Sequence, residues 1–327
     1  MSQSPSGPSR RPRPANKSTN SRKTSQTNQP TQTNTRFRTR HPVLTALVPV
    51  GLVVAAIATM VVIKAAGNSN PSASASSHLS TGGSDGSAGS AAAADSGTTS
   101  LSPQVVAALS VPASTLDAVG SPSSVVLPAK VGNGTTARGA DGKPLITYVG
   151  AEYCPYCAAE RWALAVALSR FGTFQNLSGT HSSGSDIYPN TQTLSFYGSS
   201  YSSAYVDFQP VEEATNQQVG DSYQSLQTPT AAQNALMAKF DTQGSIPFLD
   251  IANRYVITGS SFSPQVLQGL SRSQIAAALT NPTSPVAQAI DGAANDITAA
   301  ITSVTGNLPA SVGRSATIAA IAQKLGA

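Results

Sequence analysis

The chain has 327 residues, two cysteines, three histidines and a formal net charge of +5. Two cysteines exclude a disulfide-stapled scaffold. The charge excludes a uniformly basic protein, because residues 1–41 carry +9, Lys64 adds +1, and from Ala65 onward ten basic face fifteen acidic side chains. An acidic remainder gives no reason to expect nucleic acid as a partner.

Residues 1–42 are mostly Ser, Thr, Asn, Gln and Pro with nine Arg or Lys and no Asp or Glu, a composition that cannot bury a core. From Val43 to Ile63 run 21 residues without a charge, bounded by Arg40 and Lys64. That length spans a bilayer as one helix. The competing reading is a cleavable signal peptide, whose apolar region is shorter and whose basic region is less extended. The heavier basic flank lies before the span, so the N-terminus is expected in the cytoplasm and everything after the span outside it. Residues 64–100 are rich in Ser, Ala and Gly and read as a flexible linker.

Residues 102–108 and 113–119 predict short helices, and 124–128 an edge strand. Leu145 to Val149 is a short apolar run, read as a strand buried on both faces. A helix follows at once. Pro155 suits its first position, Trp162 to Leu168 is apolar enough to lie in a core, and Arg170 and Gly172 mark its end. Cys154 therefore sits at a helix N-terminus, where unpaired N–H groups and the helix dipole favour a thiolate. Cys154 is expected to attack and Cys157, one turn on, to resolve the mixed disulfide. A Cys-x-x-Cys pair is also half of a zinc site, but zinc wants four ligands and His41 and His78 fall in the tail and linker, leaving only His181. No metal is expected.

Residues 173–201 are rich in Ser, Gly, Thr and Asn, with 193–197 the expected ordered piece. Residues 204–209 alternate as a strand, and 228–240 has helical spacing at Ala231, Leu236, Met237 and Phe240. A strand over 244–252 contains Pro247, a turn falls at Asn253, a second strand spans 255–258, and a helix covers 263–279. Residues 285–304 and 311–325 read as helices that pack back on the domain, with a dimerising or partner-docking hairpin as the alternative.

These pieces in this order resemble the thioredoxin-like fold: an α/β architecture, here with an insertion near 172–216, preceded by one transmembrane helix and followed by C-terminal helices. The resemblance implies a domain over 101–280 and a helical extension over 281–327. It also implies that Pro247 is cis and lies against the cysteine pair, and that Ile246 offers its backbone to an extended substrate peptide. More narrowly, the run Gly150-Ala-Glu-Tyr-Cys-Pro-Tyr-Cys-Ala-Ala-Glu-Arg-Trp162, with Ser-Ile-Pro-Phe-Leu-Asp downstream, is similar to the membrane-anchored family known as domain of unknown function 929, over roughly Ser124 to Leu279.

Thioredoxins keep a buried acid on the strand before the motif, and Leu145 to Gly150 contains none. Glu152 and Glu160 are the nearest carboxylates, read as solvated surface groups with proton transfer as the alternative role. Their charge would raise a thiol pKa. Tyr153 and Tyr156 are expected to flank the pair and shape a peptide-docking surface, with core or packing roles as the equal alternative, and Trp162 is expected to lie in the core. Glutaredoxins share Cys-Pro-Tyr-Cys but act with glutathione in the cytoplasm, against the outward orientation expected here. By analogy with known dithiol proteins the potential is expected near about −200 mV.

The expected protein is a membrane-tethered, extracytoplasmic thiol–disulfide oxidoreductase. Its only cofactor is its own redox-active disulfide. Its partners are exported protein thiols or disulfides and a second redox protein that resets the pair. The alternatives are a binding module with a static disulfide and a metal chaperone using both thiolates for a soft ion such as copper(I).

Overall fold

The computed structural model describes residues 99–327 except Asn133. The expected basic tail (1–42), membrane span (43–63) and nearly all of the linker (64–100) lie outside the described residues, as do His41 and His78. Among the described residues no helix is long and apolar enough to cross a membrane.

Strand β1 (Thr99–Ser100) takes the last two residues expected as linker and pairs antiparallel with Ser178 and Gly179. Helix α1 (Pro103–Ala108) follows, with Ser102 Oγ accepting from Val105 N, then α2 (Ala113–Val119). The edge strand expected over 124–128 does not form. Pro128 offers no N–H to a ladder, Val126 N donates instead to Ser261 O, and the strand is the dipeptide β2 (Ala129–Lys130).

Next come β3 (Leu145–Gly150) and α3 (Pro155–Ser169). The apolar run of β3 is buried because it has strands on both sides: β8 (Asp207–Glu212) runs parallel to it and β11 (Phe248–Ile251) antiparallel. The sheet order is β2, β12 (Tyr255–Thr258), β11, β3, β8. β8 is an edge, which is where Pro210 can sit within a strand. The expected strand over 204–209 is displaced to 207–212 because Ser203 Oγ accepts from Tyr205 N and Val206 N and holds those residues in a turn.

Between α3 and β8 the chain is more ordered than its composition suggests. It forms β4 (Gly172–Gln175), β5 (Ser178–His181), β6 (Gln192–Ser195) and β7 (Ser200–Ser203). β4 pairs with β7, and β1, β5 and β6 form a three-stranded sheet. After β8 comes a hairpin, β9 (Ala214–Val219) and β10 (Ser222–Ser225), then α4 (Ala231–Phe240), which starts at a capping box of Thr230 and Gln233.

The turn joining β11 to β12 has Ala252 and Asn253 at positive φ and is closed by Arg254 N donating to Ile251 O. Left-handed residues suit a turn between twisted antiparallel strands. The helix expected over 263–279 is broken. A 3₁₀ turn (Pro264–Leu267) ends at Gly269, whose φ is +74, and Ser271 caps a new helix, α5 (Arg272–Ala278). A 21-residue helix, α6 (Pro285–Thr305), is capped by Ser284 and stopped by left-handed Gly306. The expected helix over 311–325 is likewise split, into α7 (Ala310–Gly313) and α8 (Ala316–Lys324), because Ser315 begins a fresh helix.

α3 is the axis of the core. Almost every residue from Pro155 to Leu168 is buried, and a helix apolar around its circumference needs cover on every side. α6, β6, β4 and the 3₁₀ turn pack against it. Ile146, Trp162, Leu164, Leu168 and Leu249 share one cluster with Ile290, Ile297 and Ile301 of α6 and Ile318 and Ile321 of α8. Asn295 of α6 fastens the α2 end by donating to Leu116 O and Gly120 O at 2.7 and 2.8 Å.

Candidate functional site: a cysteine pair over a buried ion pair

The chain leaves β3, turns through Ala151 to Tyr153 and enters α3 with Cys154 as its N-cap in an extended conformation. Pro155 takes the first helical position, and Cys154 Sγ accepts from Cys157 N at 3.3 Å. Both cysteines are free thiols. Cys154 is 7 % exposed and Cys157 is not exposed at all, so an incoming sulfur can reach only Cys154. The electrostatics separate them in the same sense. The Cys157 side-chain hydrogen bond lowers the Cys154 pKa against the cost of burial, helped by backbone N–H groups and the Arg161 charge. Burial pushes the Cys157 thiol well above its ordinary value, and the neighbouring Cys154 adds to the shift. A lowered attacker and a raised, buried partner suit sequential exchange.

Ile246 and Pro247 are joined by a cis peptide bond, and Ile246 O stands 3.8 Å from Cys154 Sγ. The loop that carries them is held at both ends. Asp241 accepts from Gln243 N and Ser245 N at 3.0 and 2.6 Å, and Pro247 O accepts from Gly259 N at 2.8 Å. Two further segments bind the motif's own backbone. Ser183 N donates to Tyr153 O, and Glu152 N donates to Ala214 O. Tyr153 stacks on Tyr223 of β10 with ring centroids 4.2 Å apart, and Tyr156, which is 39 % exposed, meets Tyr188 edge-on at 6.0 Å. The two tyrosines of the motif thus each find an aromatic partner from outside it.

Neither carboxylate beside the cysteines is solvated, contrary to the surface reading of the sequence. Glu152 is 2 % exposed and accepts from Ser195 Oγ at 2.5 Å and Thr180 Oγ1 at 3.4 Å. Glu160 is fully buried and accepts from Ser261 N at 2.7 Å and Ser261 Oγ at 3.1 Å. Burial pushes the Glu160 pKa up to about 7, with both Ser261 donors opposing. The strands between α3 and β8 supply the Glu152 partners, so the Ser- and Thr-rich insertion completes the surroundings of the motif. Trp162 is fully buried, and its Nε1–H donates to Gln192 O.

Three residues near the thiols escape a reading by sequence. Arg161, one turn beyond Cys157, is fully buried, and its Nε and Nη2 both donate to Glu212 of β8 at 2.7 Å. Burial opposes the Arg161 charge, but Glu212 and Tyr148 outweigh it, and the guanidinium is held above its ordinary range. Tyr148 of β3 is the third, fully buried beside Gly150, where a Cβ would lie 2.2 Å from its Oη. The legible signal was Arg161, a charge inside an otherwise apolar helix. Glu212 and Tyr148 needed the sheet register to be found. Among the described residues no three His, Cys, Asp or Glu side chains converge on a metal position. His181 packs its ring against the Asn216 amide.

The model of the family described as Domain of unknown function (DUF929) matches residues 128–303, more than half of the chain, and the chain belongs to that family. No curated protein and no solved structure matches it.

Proposed function

We propose that this protein is a thiol–disulfide oxidoreductase of thioredoxin-like architecture, tethered to the membrane through residues 43–63 and working outside the cytoplasm on exported proteins. The observation that carries the reading is the pairing of Cys154, a slightly exposed sulfur at a helix N-cap with a lowered pKa, with the cis Ile246–Pro247 peptide whose carbonyl stands 3.8 Å away. The strand order β8, β3, β11, β12, with β8 and β3 parallel and the other pairs antiparallel, supports the architecture. The strands from β4 to β7 are then the insertion.

The step is balanced within the pair and its substrate. Cys154 thiolate attacks a substrate disulfide, one substrate sulfur leaves as a thiolate, and a Cys154–substrate disulfide forms. Cys157 then attacks Cys154 Sγ, the second substrate sulfur leaves, and the Cys157 proton ends on a departing thiolate. Two sulfurs of the enzyme are oxidised and two of the substrate reduced. The reverse sequence oxidises a substrate dithiol, and a second redox protein resets the pair.

The test is the full-length Cys157→Ser protein produced in cells that export it, quenched with acid and alkylated. Mixed disulfides that vanish on reduction and are absent from Cys154→Ser/Cys157→Ser are expected. No adducts, together with a wild-type pair that stays oxidised below about −300 mV in thiol buffers, would overturn the reading in favour of a static disulfide.

A further inference from the structure

The ion pair under the cysteines is incomplete in a particular way. Arg161 spends Nε and Nη2 on Glu212, while Nη1 is buried with no hydrogen-bond partner, and Tyr148 Oη is buried in the same condition. Buried donors without acceptors are rare and call for a physical reason. Arg161 lies one helical turn beyond Cys157 and its charge acts on both thiols, and Tyr148 lies on the strand that leads into the motif. Moreover, the Tyr148 hydroxyl lies where a side chain at residue 150 would stand, and Gly150 leaves that space free.

Resting on the exchange reaction proposed above, we propose that Arg161 and Tyr148 are positioning residues for the resolving step: a preorganised pair of donors for the Cys157 thiolate, fixed from behind by Glu212. The thiolate forms only after Cys154 has been captured in a mixed disulfide. An interaction satisfied only then stabilises the transition state without stabilising the resting dithiol. Because β3 of this chain carries no acid, a buried cation takes the place of a proton acceptor as the means of making the second cysteine reactive. The Cys157 proton leaves with the substrate thiolate, so no further acid or base is required.

The titratable and charged groups around Cys157 are Cys154 and Arg161 on α3, Tyr148 on β3 and Tyr153 in the turn between them, with Glu212 of β8 behind Arg161 and Glu152 acting on Glu212. Of these, Arg161 and Tyr148 carry a buried donor without a hydrogen-bond partner.

The experiment uses the reduced full-length protein and an aromatic disulfide that releases one coloured nitrothiobenzoate for each attack. Cys154 produces the first release and Cys157 the second, and Cys157→Ser identifies the phases by losing the second. Arg161→Met alone would strand a buried Glu212 charge and endanger folding, so the neutral pair Arg161→Met/Glu212→Leu is used beside Tyr148→Phe. Each variant is expected to slow the second phase about tenfold or more, the effect of losing a hydrogen bond to a charged group. The midpoint of its rate against pH moves upward, while the first phase changes less. Second phases within about twofold of wild type, with unchanged pH midpoints, would overturn this inference while leaving exchange chemistry standing. A folded wild type with no second release would instead overturn the exchange reaction itself.

Discussion

Replacing Glu160 by Gln is expected to stabilise the protein, and only at high pH. The Glu160 carboxyl has a pKa of about 7 in the folded state against an ordinary 4.5, with burial as the main cause. Below pH 4.5 it is protonated whether the chain is folded or not, and its titration contributes nothing. Between 4.5 and 7 the unfolded chain ionises first, which draws the equilibrium toward unfolding, and above 7 the whole cost is present. A difference of about 2.5 units at about 1.36 kcal/mol each makes that cost about 3 kcal/mol. Gln cannot ionise, its carbonyl oxygen can still accept from Ser261 N, and its amide can donate to Ser261 Oγ. Glu160→Gln should therefore match wild type near pH 4.5 and exceed it by about 3 kcal/mol near pH 8. The assay is urea unfolding of the reduced protein at both pH values, followed by the fluorescence of Trp162, the sole tryptophan. A difference between variant and wild type that is the same at both pH values would refute the reasoning.

Asp291 of α6 is buried with both carboxylate oxygens unpartnered, and burial pushes its pKa up to about 8. Asp291→Ala should therefore gain stability over wild type as the pH rises from about 4 to about 9, and a gain that does not grow with pH in the same urea assay would count against it. Gly292→Ala tests packing against propensity. Alanine favours a helix interior by about 1 kcal/mol over glycine, but a Cβ at this position would lie 2.7 Å from Pro122 Cδ. Overpacking should win and lower stability by about 1–3 kcal/mol, which a higher melting temperature than wild type would disprove.

The segment from Leu145 to Ser169 was legible because its signals are local. A continuous apolar run gave the buried strand, Pro155 gave the helix start, and the N-cap placement of Cys154 followed from both. The β11–β12 hairpin was legible for the same reason, since Asn253 marks a turn that needs positive φ. Of the strands from β4 to β7 only β6 was foreshadowed, by the ordered piece expected over 193–197; the others were not, because their residues are largely Ser, Thr and Gly, whose burial leaves no period-two apolar pattern. What makes them strands is tertiary: Thr193 Oγ1 donates to Ala158 O and Ser195 Oγ to Glu152 Oε1. The broken helices after residue 263 had their stops in view, Gly269 with Ser271 and later Ser315, but an apolar period alone does not say which cap residue acts.

A short motif needs this much chain around it because its charges are buried. The string from Glu152 to Trp162 carries three charged side chains, and all three are buried. A buried charge is tolerated only with partners, and each partner here comes from a different segment: Ser195 and Thr180 from the insertion for Glu152, Ser261 after β12 for Glu160, and Glu212 on β8 for Arg161. Three separate stretches are thereby fixed to the helix that begins at Cys154, and none can shift without stranding a charge. Against that background of satisfied groups, Arg161 Nη1 and Tyr148 Oη remain buried without a hydrogen-bond partner. The only anion the proposed reaction creates there is the Cys157 thiolate.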